Sequence, residues 1–235
     1  MGPTNLISAT EFTQYAPDVD LTLFGGASSP TVSGIISQAT ASIVNYCNVN
    51  GFDYQTETNE TDRVAISPMG ELFIDFRRRP VVPADVSNIT LVKGGFQTQL
   101  VLTDTNGNFL FQIPYPGNHL NFASSYLAAA GTLILGGSTQ LVTMKGADVF
   151  YKVTYTGGYS GQTGLGSGKP IPPDLKAACV LWVRDILATQ FNSTGAFSFG
   201  QGSYNENLGP DGESKFIKRA KLLISQGGHR RMTIF

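Results

Sequence analysis

Apolar positions follow a helical period towards both ends of the chain and short alternating runs between them. From Pro30 to about Asn48, Val32, Ile36, Ala39, Ile43 and Cys47 form one stripe, which Ile35 and Tyr46 widen. Ser29 can cap this helix, Pro30 suits its first position, and Asn50-Gly51 stops it. The opposite face carries Ser33, Ser37, Thr40 and Asn48, polar but uncharged. A second helix is expected from Pro173 to Gln190, with Leu175, Ala178, Cys179, Trp182, Ile186 and Thr189 as its apolar face. Trp182, the one tryptophan, is expected to anchor the helical core. A third, from Glu213 to Gln226, turns Phe216, Ile217, Ala220, Leu223 and Ile224 inward and Lys215, Lys218, Arg219 and Lys221 outward. A shorter stretch, Glu11 to Tyr15, can open on a Thr10 cap and close at Pro17.

Between these helices the pattern shortens to that of strands. The runs 63–67, 72–76, 88–93, 97–103, 108–113, 132–135, 141–143 and 149–156 are β-branched or aromatic and bounded by Gly, Pro or Asn. Asn106-Gly107 favours a tight hairpin, and Gly94-Gly95 and Gly136-Gly137 mark two more turns. Tyr159 to Lys169 is a Gly/Ser-rich linker, and Phe191 to Gly212 has no clear period. The expected fold class is α+β: a helical bundle of about three main helices with a large inserted antiparallel β domain. The expected divisions are 1–54 and 159–226 for the two parts of the helical domain, 55–158 for the β domain, and 227–235 for a C-terminal tail.

Composition alters this picture in one respect. Charged residues make up 14% of the chain, against about 25% in ordinary soluble domains. So neutral a surface suits a protein whose faces are covered by neighbours. The net charge is −1, and the basic clusters are Arg77-Arg78-Arg79, Lys215 to Lys221 and His229-Arg230-Arg231, which argues against dedicated nucleic-acid recognition. Cys47 and Cys179 fall on apolar helical faces and read as buried thiols. Residues 1–10 have neither a basic nor an apolar signal region, and no apolar run nears the ~18 residues that span a bilayer. The triplets at Asn59, Asn88 and Asn192 therefore read as chance matches to a glycosylation signal.

Candidate chemistry is sparse. The two histidines, His119 in a turn-rich stretch and His229 near the end, adjoin no nucleophile elbow. Gly164 to Lys169 resembles a phosphate-binding loop, but Thr163 stands where its first glycine belongs and Pro170 where its hydroxyl belongs. Asp104 to Asn108 resembles part of a calcium loop but lacks the closing glutamate, so a hairpin explains it better. Glu57, Glu60 and Asp62 read as solvated carboxylates in a polar stretch before the first strand, and Asp75 as a partner for a nearby arginine. No catalytic residue, cofactor or metal site is expected. Tyr115, Phe122 and Tyr126 are candidates for lining a sugar site, with core or turn roles the simpler account.

Several segments together resemble the head–tail connector, or adaptor, proteins of tailed phages. One is Ile43-Val44-Asn45-Tyr46-Cys47, closing the opening helix. Next are Glu71 to Phe76 leading into Arg79-Pro80-Val81, and Val153 to Tyr159 followed after a Gly-rich gap by Pro172 to Ala178. Gly200 to Tyr204 resembles the family's Gly-Ser-Tyr loop. They cover about a third of the chain in the family's order, although smaller family members lack so long a β region. The resemblance implies a non-enzymatic virion protein of the neck, assembled in the host cytoplasm. It implies a ring of about twelve copies that binds the portal protein and a downstream tail or stopper protein. Double-stranded DNA would pass through the lumen without sequence-specific binding, and no membrane is involved. On this reading His229, Arg230, Arg231, Met232, Ile234 and Phe235 form a tail that orders on the portal, and Phe197, Phe199 and Tyr204 belong to an assembly loop. The alternatives are another phage structural component, for tail completion or capsid decoration, and a carbohydrate-binding or hydrolytic β protein.

Overall fold

A computed structural model of the chain describes residues 5–66, 72–93, 96–114, 117, 119–122, 149–159, 170–191 and 213–230. The architecture is mixed α+β, with four α-helices and two four-stranded antiparallel sheets among the described residues. The chain divides into two compact units, one made chiefly of residues 1–49 and 170–230, the other of residues 50–160.

The first unit is helical. Helix α1 (Ala9–Tyr15) begins at Ser8, not at Thr10. The Ser8 hydroxyl accepts the Glu11 N–H while the Glu11 carboxylate accepts the Ser8 N–H, so two helix-end donors are satisfied reciprocally. Helix α2 (Pro30–Cys47) starts on the Ser29 cap, as its sequence predicts, and ends on Asn48 in the left-handed conformation. Thr40, expected on the polar face, is buried. Its hydroxyl accepts the Leu6 N–H at 3.2 Å because the segment before α1, with buried Leu6 and Ile7, folds across α2.

Helix α3 (Pro173–Phe191) packs against α2 and against α4 (Lys215–Gln226). Neighbours on more than one side bury Val180, Val183 and Leu187 as well as Leu175, Ala178, Cys179 and Ile186. Trp182 is therefore only half-buried, 6.1 Å from the Tyr46 ring, and does not anchor the core as expected. Cys47 and Cys179 are buried thiols. Burial pushes Cys179 up to about 12, against a smaller opposing pull from the Thr40 hydroxyl.

The second unit contains the sheets. One has the order β1-β8-β4-β5, formed by β1 (Gln55–Arg63), β8 (Val149–Gly157), β4 (Val86–Lys93) and β5 (Phe96–Gln99). The other has the order β2-β3-β7-β6, formed by β2 (Ala65–Ile66), β3 (Leu72–Asp75), β7 (His119–Phe122) and β6 (Phe111–Gln112). Alternate residues of both sheets meet in one core, including Leu72, Ile74, Leu120 and Phe122 from one and Ile89, Leu91, Tyr151 and Val153 from the other. The expected strand at 149–156 is the central β8. Two strands lie where the sequence predicted none: β1, wholly polar, and β7, which takes His119 out of its expected turn and pairs it with Asp75. The expected strands at 132–135 and 141–143 lie outside the described residues.

Candidate functional site

The densest polar cluster grows from β1. Its sequence, Gln-Thr-Glu-Thr-Asn-Glu-Thr-Asp-Arg, has no apolar residue to mark an inner face. A β-bulge between Glu57 and Glu60 supplies that face. Glu57 lies opposite Tyr155 and Glu60 opposite Val153, so three steps on β1 match two on β8, and Asn59 takes a positive φ of 53°. Tyr155 and Val153 both point into the core. Residues opposite one another in an antiparallel ladder share a face, so Glu57 and Glu60 share theirs, and Asp62 opposite Tyr151 joins them.

The arginines after β3 meet this row. Arg78 donates from Nε to Glu57 at 2.8 Å and from Nη1 to the Asp53 carbonyl at 2.9 Å, and it also pairs with the Asp53 carboxylate. Arg77 gives its N–H to Glu60 at 3.1 Å and its guanidinium to Asp62 at 3.3 Å. Arg79, on the N-terminal side of a cis peptide to Pro80, reaches Asp75 at 3.1 Å and the Phe76 carbonyl at 3.0 Å. The Tyr155 hydroxyl donates to Glu60 and accepts the Arg78 N–H at 2.9 Å.

Burial opposes ionisation of both Arg78 and Tyr155. For Arg78 the carboxylates of Glu57 and Asp53 outweigh burial and raise its pKa further. For Tyr155 the Glu60 charge adds to burial, so its phenol stays protonated far above the usual range. The solvated loop expected for Glu57, Glu60 and Asp62 is thus corrected. They lie in a strand, Glu60 is buried, and all three are committed to arginines. The expected pairing of Asp75 with an arginine is present.

The glycines after β8 make the cluster fit. At Gly158, with φ 112°, a Cβ would lie 2.1 Å from the Asp53 carbonyl oxygen. Only glycine lets the chain pass that close, and the passage aligns Tyr159 with Phe52, whose carbonyl accepts the Tyr159 N–H at 2.6 Å. Such an arrangement holds a strand end rigidly in register. Its carboxylates are neutralised by fixed cations, and among the described residues no group of three or more His, Cys, Asp or Glu is placed to hold a metal ion.

A second cluster closes the helical unit. His229 is 6% exposed, and its Nε2 lies 2.9 Å from Asp174 Oδ2 in the first turn of α3. A Cβ at Gly227 would fall 2.0 Å from that oxygen and 2.5 Å from His229 Nε2, so a side chain there would have to displace the Asp174–His229 pair. Arg230 and Lys221 both lie over the Tyr46 ring, at 5.0 and 5.2 Å.

His229 and Arg230 therefore pack on the helical unit, and the expected tail does not begin at Gly227. The hydrogen bond from the His229 N–H to the Ile224 carbonyl and the pairing with Asp174 fix this start. Arg231, Met232, Ile234 and Phe235 lie outside the described residues, as do Phe197, Phe199 and Tyr204. Lys221, expected outward, pairs with Glu213 instead. Phe122 is fully buried against Phe111 and is removed from any sugar site, while Tyr115 and Tyr126 lie outside the described residues. The Asp104 loop is a hairpin turn. Its carboxylate accepts the N–H groups of Asn106 and Asn108, both at 2.8 Å.

What sequence reading missed was the β1 row and the Asp174–His229 pair. The usable signal for the first was the excess of acids in 53–62 facing three arginines in 77–79. No helix among the described residues is long and apolar enough to cross a membrane. The chain matches no family model, no curated protein and no solved structure.

Proposed function

We propose that this chain is a structural virion protein, a head–tail adaptor of a tailed phage that joins the portal to the tail. On this reading the helical unit is a bundle into which a β domain is inserted, and about twelve copies close into a ring. Portal protein binds on one side and a tail or stopper protein on the other. DNA passes through the lumen, and the protein catalyses no reaction.

The observation that carries the reading is the junction from Tyr155 to Ala178. The strand end Tyr155-Thr156-Gly157-Gly158-Tyr159 and the helix start Pro173-Asp174-Leu175 follow the adaptor pattern in order and spacing. Each segment also has a physical role, since Gly158 allows the pass beside Asp53 and Asp174 receives His229. Commitment of the β1 carboxylates to arginines supports a scaffold role, because an acid–base pair needs a carboxyl free to exchange its proton.

Mass photometry of the purified chain, alone and with portal rings of the same virus, tests this. The expected result is a closed ring that adds to the portal. A chain that stays monomeric in both settings, or that turns over a small substrate, overturns it. Truncation after Arg230, which spares the buried His229, should abolish attachment if residues 231–235 reach the portal.

A further inference from the structure

Two outward strips of the helical unit carry exposed apolar side chains among charges of opposite sign. On α4, Ala220 and Ile224 are buried, so residues half a turn away face out. Leu222, 55% exposed, sits in the middle of that outer face, about one turn beyond exposed Arg219 and two beyond exposed Lys215. Residues 215–226 contain no acid, and among the described residues no carboxylate pairs with Lys215 or Arg219.

The second strip follows α1. Ala16, Val19, Leu21 and Phe24 point inward, leaving Tyr15 49% and Leu23 59% exposed. Between them Asp18 and Asp20 face out, and residues 5–29 contain no basic side chain. Asp18 is already held by Arg184. Among the described residues Asp20 accepts from Thr22 alone, through its N–H at 2.9 Å and its hydroxyl at 2.7 Å, so no described cation holds its charge.

A phosphate backbone would suit Lys215 and Arg219 but not the leucine beside them. A protein surface that sets acidic charge among exposed apolar side chains suits all three, and the strip from Tyr15 to Leu23 has that character. One strip stands on α4 and the other on the end of α1 and the segment after it, and both helices pack on α3. A closed ring needs two unlike, complementary faces on every subunit.

We propose that Lys215, Arg219 and Leu222 of one copy dock on Tyr15, Asp20 and Leu23 of the next, forming the repeating contact of the ring. The inference rests on the adaptor reading and names the interface that reading requires.

Charge exchange tests it. Lys215→Glu/Arg219→Glu on one strip, and Asp20→Arg on the other, should each raise the concentration at which rings half-form by about tenfold or more. Combining them should recover most of that loss, while circular dichroism shows each variant folded. Leu222→Asp should break the ring without rescue. Rings are counted by mass photometry, with portal added if the chain closes only there.

Wild-type rings indifferent to both reversals, or a combined variant no better than either, overturn the interface and leave the adaptor reading standing. Intact rings of Lys215→Glu/Arg219→Glu that lose portal attachment or duplex DNA binding also overturn it, by assigning the α4 strip elsewhere. No wild-type ring with or without portal overturns both readings.

Discussion

The β unit and the helical unit handle charge in opposite ways. The β unit draws Arg78, Arg79 and Glu60 inside and surrounds them with fixed partners. The helical unit fills its centre with apolar side chains and keeps its lysine and arginine ion pairs, Lys176–Glu11, Arg184–Asp18 and Lys221–Glu213, at the rim. Helices satisfy their own backbone polar groups and need only an apolar stripe to pack. The edge strand β1 offers no apolar side chain, so its attachment comes from its ladder with β8 and from carboxylates that find arginines. Buried charge therefore fixes register in one unit, while apolar area holds the other.

The largest effect should come from removing one cation from each unit. Arg78→Met leaves Asp53 and Glu57 together without a cation, and should destabilise the β unit by roughly 3–5 kcal/mol. Lys176→Met acts at a rim where both partners are 20% exposed, and should destabilise the helical unit by less than about 1 kcal/mol. Urea unfolding separates the two, since Trp182 fluorescence reports the helical unit and far-UV circular dichroism reports both. Equal losses in the two variants would remove the contrast.

Gly227→Ala should come next. Its Cβ would collide with the Asp174–His229 pair, at an expected loss of about 1–3 kcal/mol in the Trp182-detected transition. If the collision acts through that pair, adding His229→Ala should cost less than the sum of the single changes. Full additivity would show that Gly227 serves some other constraint.

The smallest effect concerns acid. Partial burial by itself would raise the Glu11 carboxyl, but Lys176 and the N–H and hydroxyl of Ser8 outweigh it and hold its pKa below the ordinary value. A carboxyl depressed on folding adds stability above its unfolded pKa. That contribution is complete above about pH 4.5 and is lost as pH falls through the lower folded value. Glu11→Gln keeps a residue able to complete the capping box, so neutral-pH stability should fall by only about half a kcal/mol. The acid limb of a pH–stability curve should flatten, and an unchanged limb would place the acid sensitivity elsewhere.

Much of the helical unit was legible because its signals are local. Ser29-Pro30 set the start of α2 and Pro173 that of α3, and the period of α4 picked out its buried Ala220 and Ile224, while Phe216, Ile217 and Leu223, also expected inward, are only half-buried. Ser8 was missed as the α1 cap because Thr10 offered the same hydroxyl, and Glu11 three residues after Ser8 was the deciding feature. Strands β4 and β8 were legible from β-branched and aromatic residues. Strand β1 was not, because it takes its inner face from β8 and has no apolar residue to mark that face. The bulge also shifts its side-chain phase, so an alternation test fails there.

Sequence alone determined that this chain is α+β, where three of its longer elements begin, that both thiols lie on apolar helical faces, and that its surface carries few charges. Those follow from residues near one another along the chain. Tertiary structure alone decided that Glu57, Glu60 and Asp62 meet Arg77 and Arg78, that Asp174 receives His229, and that Leu222 and Leu23 stay exposed. Such pairings join residues far apart in sequence, and only the folded backbone brings their charges within the few ångströms over which they act.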